Sequence, residues 1–173
     1  MALETINLKQ SLENLIDTVK KDPKAGQLEI EATTRWIGRL VCEGQVRDFP
    51  TIAVDEPELL GGTNTAPNPV EFLLVAFGTC QEIIYSAYAT IMGVQLDGIE
   101  VKLKGDIDIQ GMLGLDATVP PGYSSISYET RLTSPEPEER LVELQRAVEA
   151  HCPMLDVLTR PIDVHGELVI ERP

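Results

Sequence analysis

NPVEFLLVAFGTCQEIIYSAYATIMGV, residues 68–94, is the most apolar run in the chain, and whether it crosses a membrane or fills a core decides the fold. Glu71, Gln81 and Glu82 interrupt it, which favours a buried helix over a membrane span. Asn68 is suited to cap that helix, with Pro69 at its first position and Glu71 at its third, the pattern of a capping box. Gly93 supplies the stop. Leu73, Phe77, Cys80, Ile84, Ala87 and Ile91 recur at steps of three and four, so the spacing predicts one apolar stripe with a thiol in it.

Upstream, residues 4–21 place Ile6, Leu8, Leu12, Leu15, Ile16 and Val19 at helical spacing, and Asp22-Pro23 with Gly26 ends the pattern. This divides the chain into an N-terminal helical appendage, 1–25, and a main domain, 26–173. Strands are expected at QLEIEAT (27–33), at RWIGRLV (35–41) and around 46–54, the last an edge or a bulge because of Pro50. Residues 55–69 concentrate Gly, Pro, Asn and Asp as a long loop. Downstream, 99–109 and 123–133 alternate as half-buried strands with a loop between them. A second long helix starts at Ser134-Pro135 and ends at His151 before Pro153, and 161–171 reads as a closing strand. The order predicts an α+β fold, antiparallel sheet with two long buried helices.

A chain of 173 residues buries roughly 70% of its unfolded surface as one domain, and its 43% hydrophobic and 24% charged content is that of a globular protein. A net charge of -14 would repel a phosphate backbone or an anionic membrane surface, so neither nucleic acid nor membrane is an expected partner. The opening MALETINLKQSLENLI lacks the pattern of a secretory signal, and a cytoplasmic location is expected. Three cysteines, Cys42, Cys80 and Cys152, are too few and too scattered for a disulfide framework. A pair among them would serve redox chemistry.

An apolar setting raises a thiol's pKa, and a cation, a helix N-terminus or a metal is needed to reverse that. Cys80 is therefore either a small hydrophobe in a core or a thiol with help nearby. On the second helix Leu141, Leu144, Val148, Cys152 and Leu155 share a face, with Cys152 placed to cap a short helix restarting at Pro153. Two apolar stripes in one small domain pack on each other, which sets the two thiols facing across the seam. Cys42, after a strand, reads as structural, and His165 as a surface residue. His151 adjoins Cys152, but two histidines and no Cys-x-x-Cys spacing predict no metal site.

Together, APNPVEFLLVAFGTC, the MGVQLDGIEVKLKGDIDIQG that follows it, AHCP some seventy residues on and the preceding DEPELLGG resemble the OsmC and Ohr family of thiol-dependent hydroperoxide reductases over about residues 30–170. The resemblance implies an OsmC-like intertwined homodimer, with antiparallel sheets wrapped around two long central helices and an active site between subunits. It implies a peroxidatic thiolate at Cys80, a resolving thiol at Cys152 and an arginine from an early strand, which spacing assigns to Arg39 with Arg35 as the alternative. The implied activity is reduction of organic hydroperoxides, reset by a dithiol, in the family typically a lipoyl group, with no bound cofactor.

One position departs from the family pattern. Its efficient peroxidases carry a glutamate directly after the proline that opens the helix; here Val70 stands there and Glu71 follows. One residue turns a helical side chain by about 100 degrees, so Glu71 either takes the glutamate's catalytic place beside Arg39 or caps its own helix. NPVEFLL resembles the OsmC-like branch, and the rival to a peroxidase is a small-molecule binding or redox-sensing module with weak or no peroxidase activity. A third, a hydrolase or transferase using Cys80 with His151, would form an acyl-thioester.

Overall fold

The computed structural model describes residues 7–172, so the start of the helix expected from residue 4 lies outside the described residues. Helix α1 (Leu8–Lys21) is capped by Asn7, whose side chain accepts the Gln10 N–H at 3.1 Å, and Lys20 and Lys21 sit at the negative end of its dipole. Strands β1 (Thr33–Gly38), β2 (Val41–Gln45) and β3 (Ile52–Val54) form an antiparallel sheet in that order.

RWIGRLV, expected as one strand, is instead a hairpin corner. Gly38 (φ 149°) and Arg39 (φ 53°) reverse the chain so that Gly38 pairs with Val41 and Trp36 with Cys42. Apolar residues continue through this tight turn without a break, which disguised it. The strand expected at 27–33 is also corrected: only Thr33 joins β1, while Leu28 and Ile30 stand 81% and 84% exposed. Around 46–54 pairing is confined to β3, since Arg47 (φ 49°) turns the chain and Pro50 has no N–H for a ladder.

The loop from β3 is tied by a single carboxylate. Asp55, 1% exposed, accepts the N–H groups of Glu56, Thr63 and Thr65 and the hydroxyls of Thr63 and Thr65. Led by the Thr63 hydroxyl, these donors hold Asp55 far below the usual carboxylate range. Helix α2 (Pro69–Met92) follows; Asn68 Oδ1 accepts the Glu71 N–H at 2.9 Å while Glu71 Oε2 accepts the Asn68 N–H at 2.8 Å. Gly93 closes it with φ 64°, a left-handed conformation favourable to glycine.

Strands β4 (Gly98–Ile107) and β5 (Tyr123–Thr133) make a long antiparallel ladder, from Gly98 opposite Thr133 to Ile107 opposite Tyr123. A short helix α3 (Ile109–Met112), not foreseen from the sequence, lies in their connection. Helices α4 (Glu138–His151) and α5 (Pro153–Thr159) meet at Cys152, which caps α5 with Pro153 at its first position. α2 packs on β4 and α4, and α1 lies against α2. The core is Tyr85, Ala89, Val94, Leu144 and Val148.

The closing strand expected over 161–171 does not form; residues 161–172 have no ladder and Leu168 is 83% exposed. An alternating segment becomes a strand only where an edge accepts its hydrogen bonds and a surface covers its apolar side, and its own chain offers neither here. The most buried face of α2 also differs from the expected stripe, running through Phe77, Gly78, Gln81, Tyr85 and Ala89. Gly78 brings the sheet close: an added Cβ there would lie 2.7 Å from Leu103 Cδ1. Among the described residues α2 is the one helix long and apolar enough to cross a membrane, yet only 22% of its apolar window is buried within the chain.

A two-thiol candidate site

The rotation of α2 puts Cys80 on the flank of the helix that faces the α4–α5 junction. There Cys80 Sγ lies 3.6 Å from Cys152 Sγ. A disulfide needs about 2.05 Å between sulfurs, so a shift of well under one helical turn joins them. Cys152 is 1% exposed and Cys80 half-buried; both are free thiols. Two turns of helix meet at this point because Pro153 cannot continue α4: its missing N–H and its ring force the break that sets Cys152 at the seam.

Burial pushes the Cys80 thiol up, the backbone N–H of Met154 at the start of α5 works against this, and Cys152 adds to the rise. No arginine or lysine is among these groups. Arg39 sits in the β1–β2 turn, its carbonyl accepting the Trp36 indole N–H at 2.8 Å, and lines an apolar cavity of about 850 Å³ with Trp36, Cys42, Phe72 and Ala76. Cys80 does not line that cavity. Arg35, in register with Glu43 across the β1–β2 pair, forms an ion pair with it. Among the described residues Arg39 makes no ion pair.

Glu71 is turned back onto its own helix as the second half of the capping box. The Tyr123 hydroxyl donates to the Val70 carbonyl at 3.0 Å, tying the start of α2 to β5. His151 has other partners: Nδ1 meets the Ala147 carbonyl at 2.8 Å and the ring stacks on Tyr88 with centroids 5.0 Å apart. That arrangement gives Cys80 no imidazole base and disfavours an acyl-transfer role. Cys42, on β2, is in register with Trp36 of β1 and Val54 of β3. Among the described residues no three His, Cys, Asp or Glu side chains cluster as metal ligands.

Sequence reasoning missed the polar groups around the thiols. Gln81, next to Cys80, is 0% exposed and its amide has no hydrogen-bond partner among the described residues. Tyr128 on β5 lies edge-on to Phe77, with centroids 5.1 Å apart, and its hydroxyl donates to Glu149 Oε1 at 3.4 Å. A cleft of about 400 Å³ opens beside them, lined by Leu73, Phe77, Tyr128, Leu155 and Leu158. The alternation of 123–133 was visible in sequence; which alternate residues would meet α4 was not.

Residues 62–166 match the family described as OsmC-like protein. Among solved structures, an OsmC-like protein from Mycoplasma pneumoniae superposes with a TM-score of 0.67 at 17% identity, covering 78% of this chain and 89% of that one. The organic hydroperoxide resistance protein OsmC of Legionella pneumophila gives a TM-score of 0.60 at 15% identity, covering 78% of this chain and 93% of its own. An organic hydroperoxide resistance protein of Elizabethkingia anophelis gives 0.60 at 15% identity, with 78% and 90% covered. At such identities the likeness establishes the α+β fold. No curated protein matches the sequence.

Proposed function

This chain belongs to the OsmC-like protein family, and from that premise we propose that it is a cysteine-based reductase of organic hydroperoxides acting through Cys80 and Cys152. The observation that carries the proposal is the 3.6 Å separation of the two sulfurs across the α2–α4 seam. Cys80, as thiolate, attacks the outer oxygen of the peroxide; the O–O bond breaks, the alcohol leaves with a proton, and Cys80 becomes a sulfenic acid. Cys152 then displaces water from it to form the disulfide, and a dithiol of the lipoyl type returns both sulfurs to thiols. The apolar surroundings favour a greasy peroxide over hydrogen peroxide, and no bound cofactor is required.

A second copy of the chain completes the site in this proposal. The single chain leaves the outer face of α2 and the arms 27–32 and 161–172 uncovered, and among the described residues no cation acts on the Cys80 thiol. Arg39 of the other copy is the guanidinium we assign to the thiolate, because a permanently protonated group can hold the charge in an apolar pocket. Glu71, engaged as a cap, supports that arrangement by fixing the start of α2.

The expected result with cumene hydroperoxide and a dithiol is turnover by the wild type and none by Cys80→Ser. Cys152→Ser should consume one equivalent of peroxide and stop at a sulfenic acid detectable by mass spectrometry. Wild-type consumption no faster than that of Cys80→Ser would exclude the peroxidase. The specific observation favouring the rival, a redox-sensing module, is the upward push on the Cys80 thiol with no cation among the described residues acting on it. That reading expects one slow oxidation of the thiol pair and no catalytic cycle.

A further inference from the structure

Resetting the disulfide requires an outside thiol to reach one of its two sulfurs, and the structure treats them unequally. Cys152 is 1% exposed, whereas Cys80 is only half-buried. Cys152 ends α4, one turn after Val148 and two after Leu144, both fully buried, and its Sγ faces Cys80 Sγ at 3.6 Å. Cys80 is flanked on α2 by Ala76, Thr79 and Ile83, all exposed. A second copy packed on this chain covers surface and adds none, so Cys152 stays enclosed in the dimer proposed above.

Thiol–disulfide exchange is an in-line displacement: the incoming thiolate, the sulfur it attacks and the departing sulfur lie close to one axis. Attack on Cys152 would come from the side of that sulfur away from Cys80, where its own chain encloses it. Attack on Cys80 comes from the side away from Cys152, on the partly open flank of α2.

We infer that the reductant attacks the disulfide at Cys80 alone, with Cys152 as the leaving thiolate, so that Cys80 meets both peroxide and reductant while Cys152 meets neither. The inference rests on the two-thiol peroxidase described above and assigns its reset step. One thiolate of the dithiol forms a sulfur–sulfur bond to Cys80 as the Cys80–Cys152 bond breaks, and Cys152 departs with the electron pair and takes a proton. The second thiol of the reductant, as thiolate, then attacks the reductant sulfur held on Cys80, closes a cyclic disulfide and releases Cys80. Two protein sulfurs are reduced, two reductant sulfurs are oxidised, and the two protons the dithiol gives up balance those that restore the protein thiols. The 3.6 Å that lets Cys152 close the disulfide also lets it attack a mixed disulfide on Cys80 and expel the attached thiol. A reductant therefore completes the reset when its second thiol is tethered to the first and outpaces Cys152.

The test has two arms. In the first, the single-thiol proteins Cys42→Ser with Cys80→Ser and Cys42→Ser with Cys152→Ser react, folded, with the aromatic disulfide dithiobis(nitrobenzoate). The Cys80 thiol should react at least about a hundredfold faster than the Cys152 thiol, which must wait for local opening, and the two should react alike in denaturant. In the second, wild type oxidised by one equivalent of cumene hydroperoxide is mixed with excess mercaptoethanol, quenched in acid at intervals and mapped by peptide mass spectrometry. The adduct should lie on the Cys80 peptide, with Cys152 a free thiol; where no adduct accumulates, the two rates decide. An adduct on the Cys152 peptide, or a folded Cys152 thiol that reacts as fast as Cys80, overturns the inference and leaves the peroxidase standing. Peroxide treatment that yields no Cys80–Cys152 disulfide overturns both.

Discussion

Asp55 shows how one side chain holds a segment that the sequence marks only as loop. Three backbone N–H groups and two threonine hydroxyls converge on its carboxylate, and all of them favour the charged form. Because its folded pKa is depressed, the charged group contributes stability that is fully present above the unfolded carboxylate range, about pH 4, and lost as pH falls toward the folded value. Urea midpoints of wild type and Asp55→Asn should therefore differ by a constant amount above about pH 5 and converge below about pH 4. An undiminished gap near pH 3 would show that charge is not what binds the loop. At this scale legibility follows backbone logic. Asn68, Pro69 and Glu71 announce a helix start because the cap is local. The burial of Gln81 was hidden because a polar residue gives no apolar signal when its helix turns it toward a sheet.

At the scale of elements, the connection into α2 is closed by a backbone contact. A Cβ on Gly62 would lie 1.8 Å from the Glu56 carbonyl oxygen, and no side chain can swing aside to relieve it. Gly62→Ala should cost about 3 kcal/mol or more in chemical unfolding. Gly78→Ala meets only the tip of Leu103 at 2.7 Å and should cost about 1 kcal/mol. Equal losses would mean that the loop yields as easily as a side chain. The same contrast explains which elements the sequence disclosed. Helices α2 and α4 satisfy their own backbone groups and advertise their ends through Asn68, Gly93 and Pro153. Strands depend on partners elsewhere: β4 and β5 have each other, whereas 27–32 and 161–171 alternate like strands and find no edge in their own chain.

At the scale of the molecule, surface area is the observation behind the proposed second copy. The chain exposes 13565 Å², while a compact folded monomer of its 19.0 kDa mass exposes about 8,400 Å². The excess, about 5,000 Å² on one chain, is larger than the share each partner commonly gives to an obligate interface, about 1,000–2,500 Å². It is concentrated where strand-like arms lack an edge and where α2 turns Val75 and Ile83 outward, Ile83 being 66% exposed. A second copy accounts for both features, since it brings another apolar helix for the face and another sheet for the arms. Light scattering should give twice the chain mass for wild type, with a melting temperature that rises with concentration. Ile83→Glu, which buries a carboxylate at the centre of that face, should give a less stable single chain. Its two sulfurs would remain close enough to join under an added disulfide oxidant, because α2, α4 and α5 hold them within one chain. Peroxide reactivity should nevertheless fall with the loss of the partner, since the guanidinium assigned to the Cys80 thiolate would depart with it. A monomeric wild type, or an Ile83→Glu monomer that reduces peroxide at the wild-type rate, would exclude the shared site.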